Sequence, residues 1–213
     1  MEDEPQEAKP PPGKKAGIRA PGSTPAQRTV FLTFDDGPHP IETDRVLRTL
    51  ANHQIRATFF VIGQNAAAFP EVVSRVAAAG HRIGNHSYSH HDLTQLSARE
   101  IESEIAKTEK LIAPYLGKEK LLRPPFGARN SLVDKVAKDL GYRLCFWSVD
   151  TLDWHDDYRP AGWVSRGLAQ FKDRDEMIVL NHDVHESTAD HLDLFISEIL
   201  ALDPTRFAVV AGG

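Results

Sequence analysis

The sequence predicts an incomplete (β/α) barrel. Three observations lead there. From residue 29 onward, short apolar runs alternate with helical patterns, which implies parallel βα units rather than hairpins. About seven such units occupy about 185 residues, whereas a closed eight-fold barrel typically needs about 250. No Gly-rich phosphate loop follows the first strand, so the competing doubly wound nucleotide fold has little support.

The strand-like runs are 29-TVFLTF-34, 57-ATFFVI-62, 81-HRIGN-85, 120-KLLR-123, 142-YRLCFW-147, 177-MIVL-180 and 207-FAVV-210. Helical patterns fall at 43–53, 70–79, 97–115, 130–140, 160–171 and 188–202. The helix near 70 starts with Pro70 in its first turn and stops at Gly80. Ser97 and Glu100 form a capping-box pattern. Asn130 can cap the segment that ends at Gly141. Residues 1–28 differ from the rest: they hold six of the fourteen prolines, mixed charges and almost no aliphatic residues. They read as a linker or tail, and residues 29–213 as one catalytic domain.

Composition narrows the function classes. A chain of 213 residues with 41% hydrophobic and 26% charged residues is globular. The formal net charge of −5 disfavours non-specific binding to nucleic acid or anionic lipid. The single cysteine, Cys145, excludes an intrachain disulfide and reads as a small core residue. No run of about 18 apolar residues exists to span a membrane. Met1 is followed by acidic residues and prolines rather than a basic and then apolar leader.

In a parallel βα sheet, function gathers at the C-terminal ends of the strands. Asp35 and Asp36 follow the first run, His86 the third, Arg123 ends the fourth, Asp150 and Asp153 follow the fifth, and His182 the sixth. Within 84-GNHSYSHHD-92, His86 and His90 stand four apart, so a helical turn would aim both imidazoles at one cation. Two histidines and a carboxylate are a ligand set for catalytic zinc, with a position left open. An H-x3-H pair alone is weak, because solvated and capping histidines are commoner. The acidic pair at a neighbouring strand end adds weight.

Adjacent carboxylates repel. If Asp36 ligates a metal, its charge is neutralised, and Asp35 can stay ionised and take a proton from water as general base. A plain D-G turn explains Asp36-Gly37 but leaves Asp35 idle. Arg123, held by the two prolines after it, can orient Asp35 through a guanidinium–carboxylate pair, though for this motif alone a surface arginine before a turn is the favoured reading. His182 is a candidate general acid, with Asp153 as the partner that keeps it charged and Asp150 the next choice. Trp154 can wall the site or face a sugar ring, or be core. His185, His191, His155, His53 and His81 read as surface or structural.

Together TFDDG, ATFFVIG, GNHSYSH, RPPFG, DTLDW and LNHD, in that order over residues 29–210, resemble the polysaccharide deacetylases (NodB-homology family, carbohydrate esterase family four). The resemblance implies a deformed (β/α) barrel holding one divalent metal, usually zinc. It implies that Asp36, His86 and His90 hold the metal, Asp35 is the base, Arg123 positions it, Asp153 tunes the acid and His182 is the acid. Leu180 would line the pocket for the acetyl methyl. Phe126 stands where the family more often has Tyr, and offers a backbone N–H to the oxyanion. The implied reaction is N-deacetylation of N-acetylglucosamine polymers (chitin, chito-oligosaccharides or peptidoglycan). O-deacetylation of acetylated xylan is the near alternative, and a catalytically dead carbohydrate-binding module the distant one. Family resemblance also implies an extracellular or cell-envelope address; a monomer is expected. The short loops between motifs predict an open groove for a carbohydrate polymer.

Overall fold

The central strand is β1 (Arg28–Asp35), an eight-residue run in which Val30, Leu32 and Phe34 alternate with Phe31, Thr33 and Asp35. The first set joins the main hydrophobic cluster, which also takes in residues from the helices; Phe31 packs instead in a separate small cluster with Phe60, Leu121 and Cys145. Period-two alternation therefore sends one face of the strand to the helices and the other into the barrel. The computed structural model describes residues 28–171, 174–202 and 205–208. The expected linker lies outside the described residues, apart from Arg28.

Seven further strands follow: β2 (Thr58–Val61), β3 (Arg82–Asn85), β4 (Lys120–Leu122), β5 (Tyr142–Leu144), β6 (Val149–Asp150), β7 (Glu176–His182) and β8 (Thr205–Phe207). The order across the sheet is β5-β4-β3-β2-β1-β7-β6, and β8 pairs with the first residues of β1. Every described pairing is parallel. The helices are α1 (Glu42–Asn52), α2 (Gly63–Ala68), α3 (Pro70–Ala78), α4 (Ala98–Ile112), α5 (Ser131–Asp139), α6 (Gly162–Leu168) and α7 (Glu186–Leu200).

The sheet has to curl, and the chain shows why. β5 ends at Leu144 and β6 begins at Val149, yet they are the two ends of the strand order. Laid flat, seven strands would hold their outer members about 29 Å apart at ~4.8 Å per step. Five residues reach at most about 17 Å. The connecting segment is tied at both sides: Cys145 N–H donates to Leu122 O at 2.9 Å and Ser148 N–H to Ile178 O at 2.9 Å. No ladder joins β5 to β6 among the described residues, so the barrel is bent nearly shut and left open along one seam.

Capping follows the sequence. Asn130 accepts the N–H groups of Leu132 and Val133 at 3.0 and 2.9 Å. Glu100 accepts the Ser97 N–H at 2.8 Å, and α3 opens on Pro70. Two elements escaped the sequence reading. β6 is two residues long and gives no periodic signal. α2, a single stretch of GQNAAA, sits against α4 and ends at Ala68, with Phe69 between it and Pro70. The last strand begins at Thr205 rather than at 207, and residues 209–210 lie outside the described residues.

Candidate metal centre and active site

Strand register assembles the site. Asp35 is the register partner of His182 on β7 and of Phe60 on β2. Asn85 pairs with Leu122, so the next residues, His86 and Arg123, emerge side by side. All of them leave the same end of the barrel.

Arg123 is fully buried and has no water to solvate it. Its guanidinium is satisfied within the barrel instead. Nη1 donates to Asp35 Oδ1 at 2.7 Å and to Thr33 Oγ1 at 2.8 Å, and Nε donates to Cys145 O at 3.1 Å. The rings of Phe60 and Trp147 lie 4.2 and 5.6 Å from its Cζ. Thr33 in turn donates to Val179 O at 2.6 Å. One carboxylate oxygen of Asp35 is thereby fixed. The other, Oδ2, lies 3.7 Å from His86 Nε2. The pairing expected from the sequence is present, in the barrel interior rather than on the surface.

Beside Asp35, Asp36 adopts a left-handed conformation (φ 73°). Its Oδ1 lies 3.4 Å from His86 Nε2 and 3.3 Å from His90 Nε2, and it has no hydrogen-bond partner. A tetrahedral zinc with ligands at about 2.1 Å holds them about 3.4 Å apart. Both separations from Asp36 match that spacing, and the three ligand atoms lie within 4.8 Å of one another, as ligands of one cation would. His86 Nδ1 donates to Arg123 O at 2.7 Å, which leaves Nε2 as the ligating atom. Burial and the charge of His86 push the His90 pKa down to about 4, so His90 offers a neutral ring. Burial alone would raise the Asp36 pKa, but the adjacent His86 and the charges of His182 and His90 outweigh it and hold it well below the usual range. Among the described residues, Asp36, His86 and His90 form the group able to hold a metal.

The histidines do not sit on a helical turn, contrary to the expectation from their spacing. Residues 86–92 form a loop in which Ser87 and His90 have φ of 62° and 59°. The loop is shaped from outside. Glu104 on α4 accepts the N–H groups of Tyr88 and Ser89 at 3.0 and 2.8 Å and the Ser89 hydroxyl at 2.8 Å. Asn85 Oδ1 accepts the Ser87 N–H at 2.9 Å. Spacing alone could not reveal these supports, because they come from a neighbouring helix and from the strand behind.

Across the cavity, Asp153 Oδ1 meets His182 Nδ1 at 2.8 Å, and Oδ2 accepts the His182 N–H at 2.8 Å and the Thr188 hydroxyl at 2.6 Å. Burial opposes charge on His182, but the Asp153 carboxylate overrides it and raises the imidazole pKa well above its usual value. Asp153 itself is lowered: burial opposes this, and the His182 charge prevails. Asp150, the second choice for this partner, turns to the Leu152 N–H at 3.0 Å.

Asp36, His86, His90 and His182 border a cavity of about 670 Å³, flanked also by Phe126 and Trp154; Asp35, Arg123 and Asp153 are buried and are not part of its lining. The Phe126 ring meets that of His90 edge-on at 4.6 Å, and its backbone is left-handed (φ 59°) within the turn Pro125–Gly127. Leu180 is fully buried on β7 and does not border the cavity, so the methyl-pocket role is not visible here. His155 and His185, read from the sequence as structural, do border it. His81, His53 and His191 are structural: His81 accepts the Ala57 N–H at 3.1 Å, His53 pairs with Asp193 at 2.7 Å, and His191 bonds Ser187 O at 3.0 Å. Thr33, Glu104 and Trp147 were missed because each supports the site from behind. Trp147 lies against Gly127, where an added Cβ would fall 2.7 Å from the indole.

Known proteins resemble this chain in sequence and fold. A family model described as polysaccharide deacetylase matches residues 22–145. The peptidoglycan-N-acetylglucosamine deacetylase PgdA of Listeria monocytogenes is 40% identical over 173 residues, which are 81% of this chain and 36% of that protein. The chain thus spans about a third of that relative's length. A solved structure titled as T48 deacetylase with substrate superposes with a TM-score of 0.77 at 36% identity, covering 86% of this chain and 89% of that one. A pseudoenzyme of carbohydrate esterase family four from Bacillus anthracis superposes with a TM-score of 0.79 at 26% identity, covering 95% of this chain and 68% of that one. Fold and matched sequence together show that the chain belongs to the polysaccharide deacetylase family, carbohydrate esterase family four.

Proposed function

We propose that the chain is a zinc-dependent hydrolase that removes N-acetyl groups from an N-acetylglucosamine-containing polymer, releasing acetate. One observation carries the reading. Asp35, clamped by Arg123, and His182, charged by Asp153, are register partners beside a two-histidine, one-carboxylate ligand set. Membership of the family is not enough by itself, since the family includes a pseudoenzyme. The intact set of side chains supports an active one.

A zinc ion held by Asp36, His86 and His90 would polarise the acetamide carbonyl and lower the pKa of water. The residues of the chain do the rest. Arg123 occupies Asp35 Oδ1, so Oδ2 is the basic atom turned toward the ligand set. Water attacks the carbonyl carbon while Asp35 takes its proton. The Phe126 N–H supports the oxyanion that develops. The C–N bond then breaks, and the amine nitrogen takes the His182 proton. Acetate and a free amino sugar remain. Base and acid are needed in opposite states, so the rate profile is bell-shaped in pH. Residues 29–213 act as the catalytic domain, as a monomer, at the cell envelope. The peptidoglycan-directed name of the relative supports that address, and no described helix is long and apolar enough to cross a membrane.

The test is acetate release from chitin oligomers, peptidoglycan and acetylated xylo-oligosaccharides, with zinc and after chelation. Asp35→Asn should retain the metal and lose about 10²–10⁴ in turnover. His86→Ala should lose the metal. A fully active Asp35→Asn protein would sink the assignment.

A further inference from the structure

The cavity has two unlike walls. One carries the ligand set. The other carries His182, Trp154, His155, His185, Asp156 and Arg159, and the mechanism uses only His182 from it. Arg159 is the permanent cation on that wall. Its head is held at the mouth by two contacts: Nη1 to Asp156 Oδ1 at 3.0 Å and Nη2 to His185 Nδ1 at 3.3 Å. His185 can accept because burial and the charge of His182 lower its pKa and leave the ring neutral. Asp156 is the one carboxylate on this wall among the described residues, and its side chain is 91% exposed. An ion pair so exposed is weak, so an incoming carboxylate can displace Asp156 at little cost. A guanidinium grips a carboxylate with two parallel hydrogen bonds, which one exposed Asp oxygen does not supply. The chain as a whole carries −5, so an arginine at this mouth is not a by-product of a basic surface.

We propose that Arg159, steadied by His185, is a specificity residue that binds a carboxylate carried by the glycan next to the scissile acetamide. The substrate class is then an acidic N-acetylated glycan rather than a neutral one. The carboxylate can sit on an ether-linked acid of the neighbouring sugar or at the end of a peptide attached to it. This inference rests on the deacetylase reading.

The probe is an oligosaccharide alternating N-acetylglucosamine with its lactyl ether, prepared as the free acid, as the methyl ester, and as a peptide conjugate whose only carboxylate is on the peptide. For the unaltered chain, the acid should exceed the ester about tenfold in kcat/KM, mostly through KM, as expected for one charge-assisted pair. In Arg159→Gln that ratio should fall to within about twofold, and Arg159→Lys should keep part of it. A conjugate that matches the ester assigns the carboxylate to the sugar; one that exceeds both acid and ester assigns it to the peptide. Neither acid nor conjugate exceeding the ester in the unaltered chain, or an unchanged preference in a folded Arg159→Gln protein, overturns the proposal. If none of the probes yields acetate, the deacetylase reading has failed. Calorimetric affinities for acid and ester then still decide the role of Arg159, and equal affinities overturn it.

Discussion

At the scale of single residues, the site works by denying side chains any alternative. Arg123 has no water, so its donors must find Asp35, Thr33 and Cys145 O. The Thr33 hydroxyl fixes the roll of the guanidinium, because it accepts from Nη1 while donating to Val179 O. Thr33→Val keeps the shape and removes that acceptor, leaving a buried donor unpaired at about 1–3 kcal/mol. We expect kcat to fall about tenfold or more with KM little changed, and Thr33→Ser to restore it; steady-state kinetics on both variants checks this. Asp153 works through charge. Its carboxylate raises the His182 pKa, and His182 must be protonated to act as acid. Asp153→Asn removes the charge, lowers that pKa and so moves the alkaline limb of the rate profile to lower pH. A limb that stays in place would assign it to another group. The sequence displayed Asp35, Asp36, His86, His90, Arg123, Asp153 and His182, because polar residues at strand ends stand out against apolar runs. It hid Thr33, which looks like any strand threonine until the barrel closes around it.

At the scale of elements, loops rather than helices or strands aim the ligands, and each loop is held by its neighbours. The loop after β1 is pinned by Asn65, whose Nδ2 donates to Asp36 O at 2.7 Å, and by the Ile62 N–H, which donates to Gly37 O at 3.0 Å. It is also packed on Asp183. That carboxyl is buried, and burial raises its pKa to about 7; it accepts the Thr43 hydroxyl at 2.5 Å. A Cβ on residue 37 would fall 2.3 Å from Asp183 Oδ2. Gly37→Ala must therefore displace either the loop or the carboxyl, and the loop carries Asp36. We expect zinc affinity to drop tenfold or more while circular dichroism stays native. Unchanged affinity would show that Asp183 yields instead. The D-G dipeptide announced a turn here, which is a local property and legible. The partner that makes Gly necessary lies 146 positions away in sequence at the end of β7. For the same reason the helical-turn expectation for His86 and His90 failed: the spacing was read correctly, but Glu104 on α4 imposes a loop.

At the scale of the whole molecule, the metal and the fold are coupled through strand ends. Alternation of apolar runs with helices made the parallel barrel legible. Its open seam was legible only as a shortage of chain, because β6 is too short to leave a pattern. The curl forced by the step from Leu144 to Val149 brings β4 and β7 to one interior, where Arg123 joins them to β1. Ligands come from the loops after β1 and β3, so a bound cation would cross-link two βα units that otherwise meet through β2. Without it, Asp35 keeps its Arg123 partner, but Asp36 is a carboxylate compensated only by histidines. A ligand that binds the folded state alone stabilises it by about 4 kcal/mol at a thousand times its Kd. For a domain of this size each kcal/mol is about 2–4 °C in Tm. Chelation should therefore lower Tm by about 8–16 °C, and added zinc should restore it. In His86→Ala, zinc should produce no such shift, because the ligand set is broken while the surface remains the same. If chelation left Tm of the unaltered chain in place while acetate release stopped, the metal would be a purely chemical participant, and the strand-end coupling argued here would be wrong.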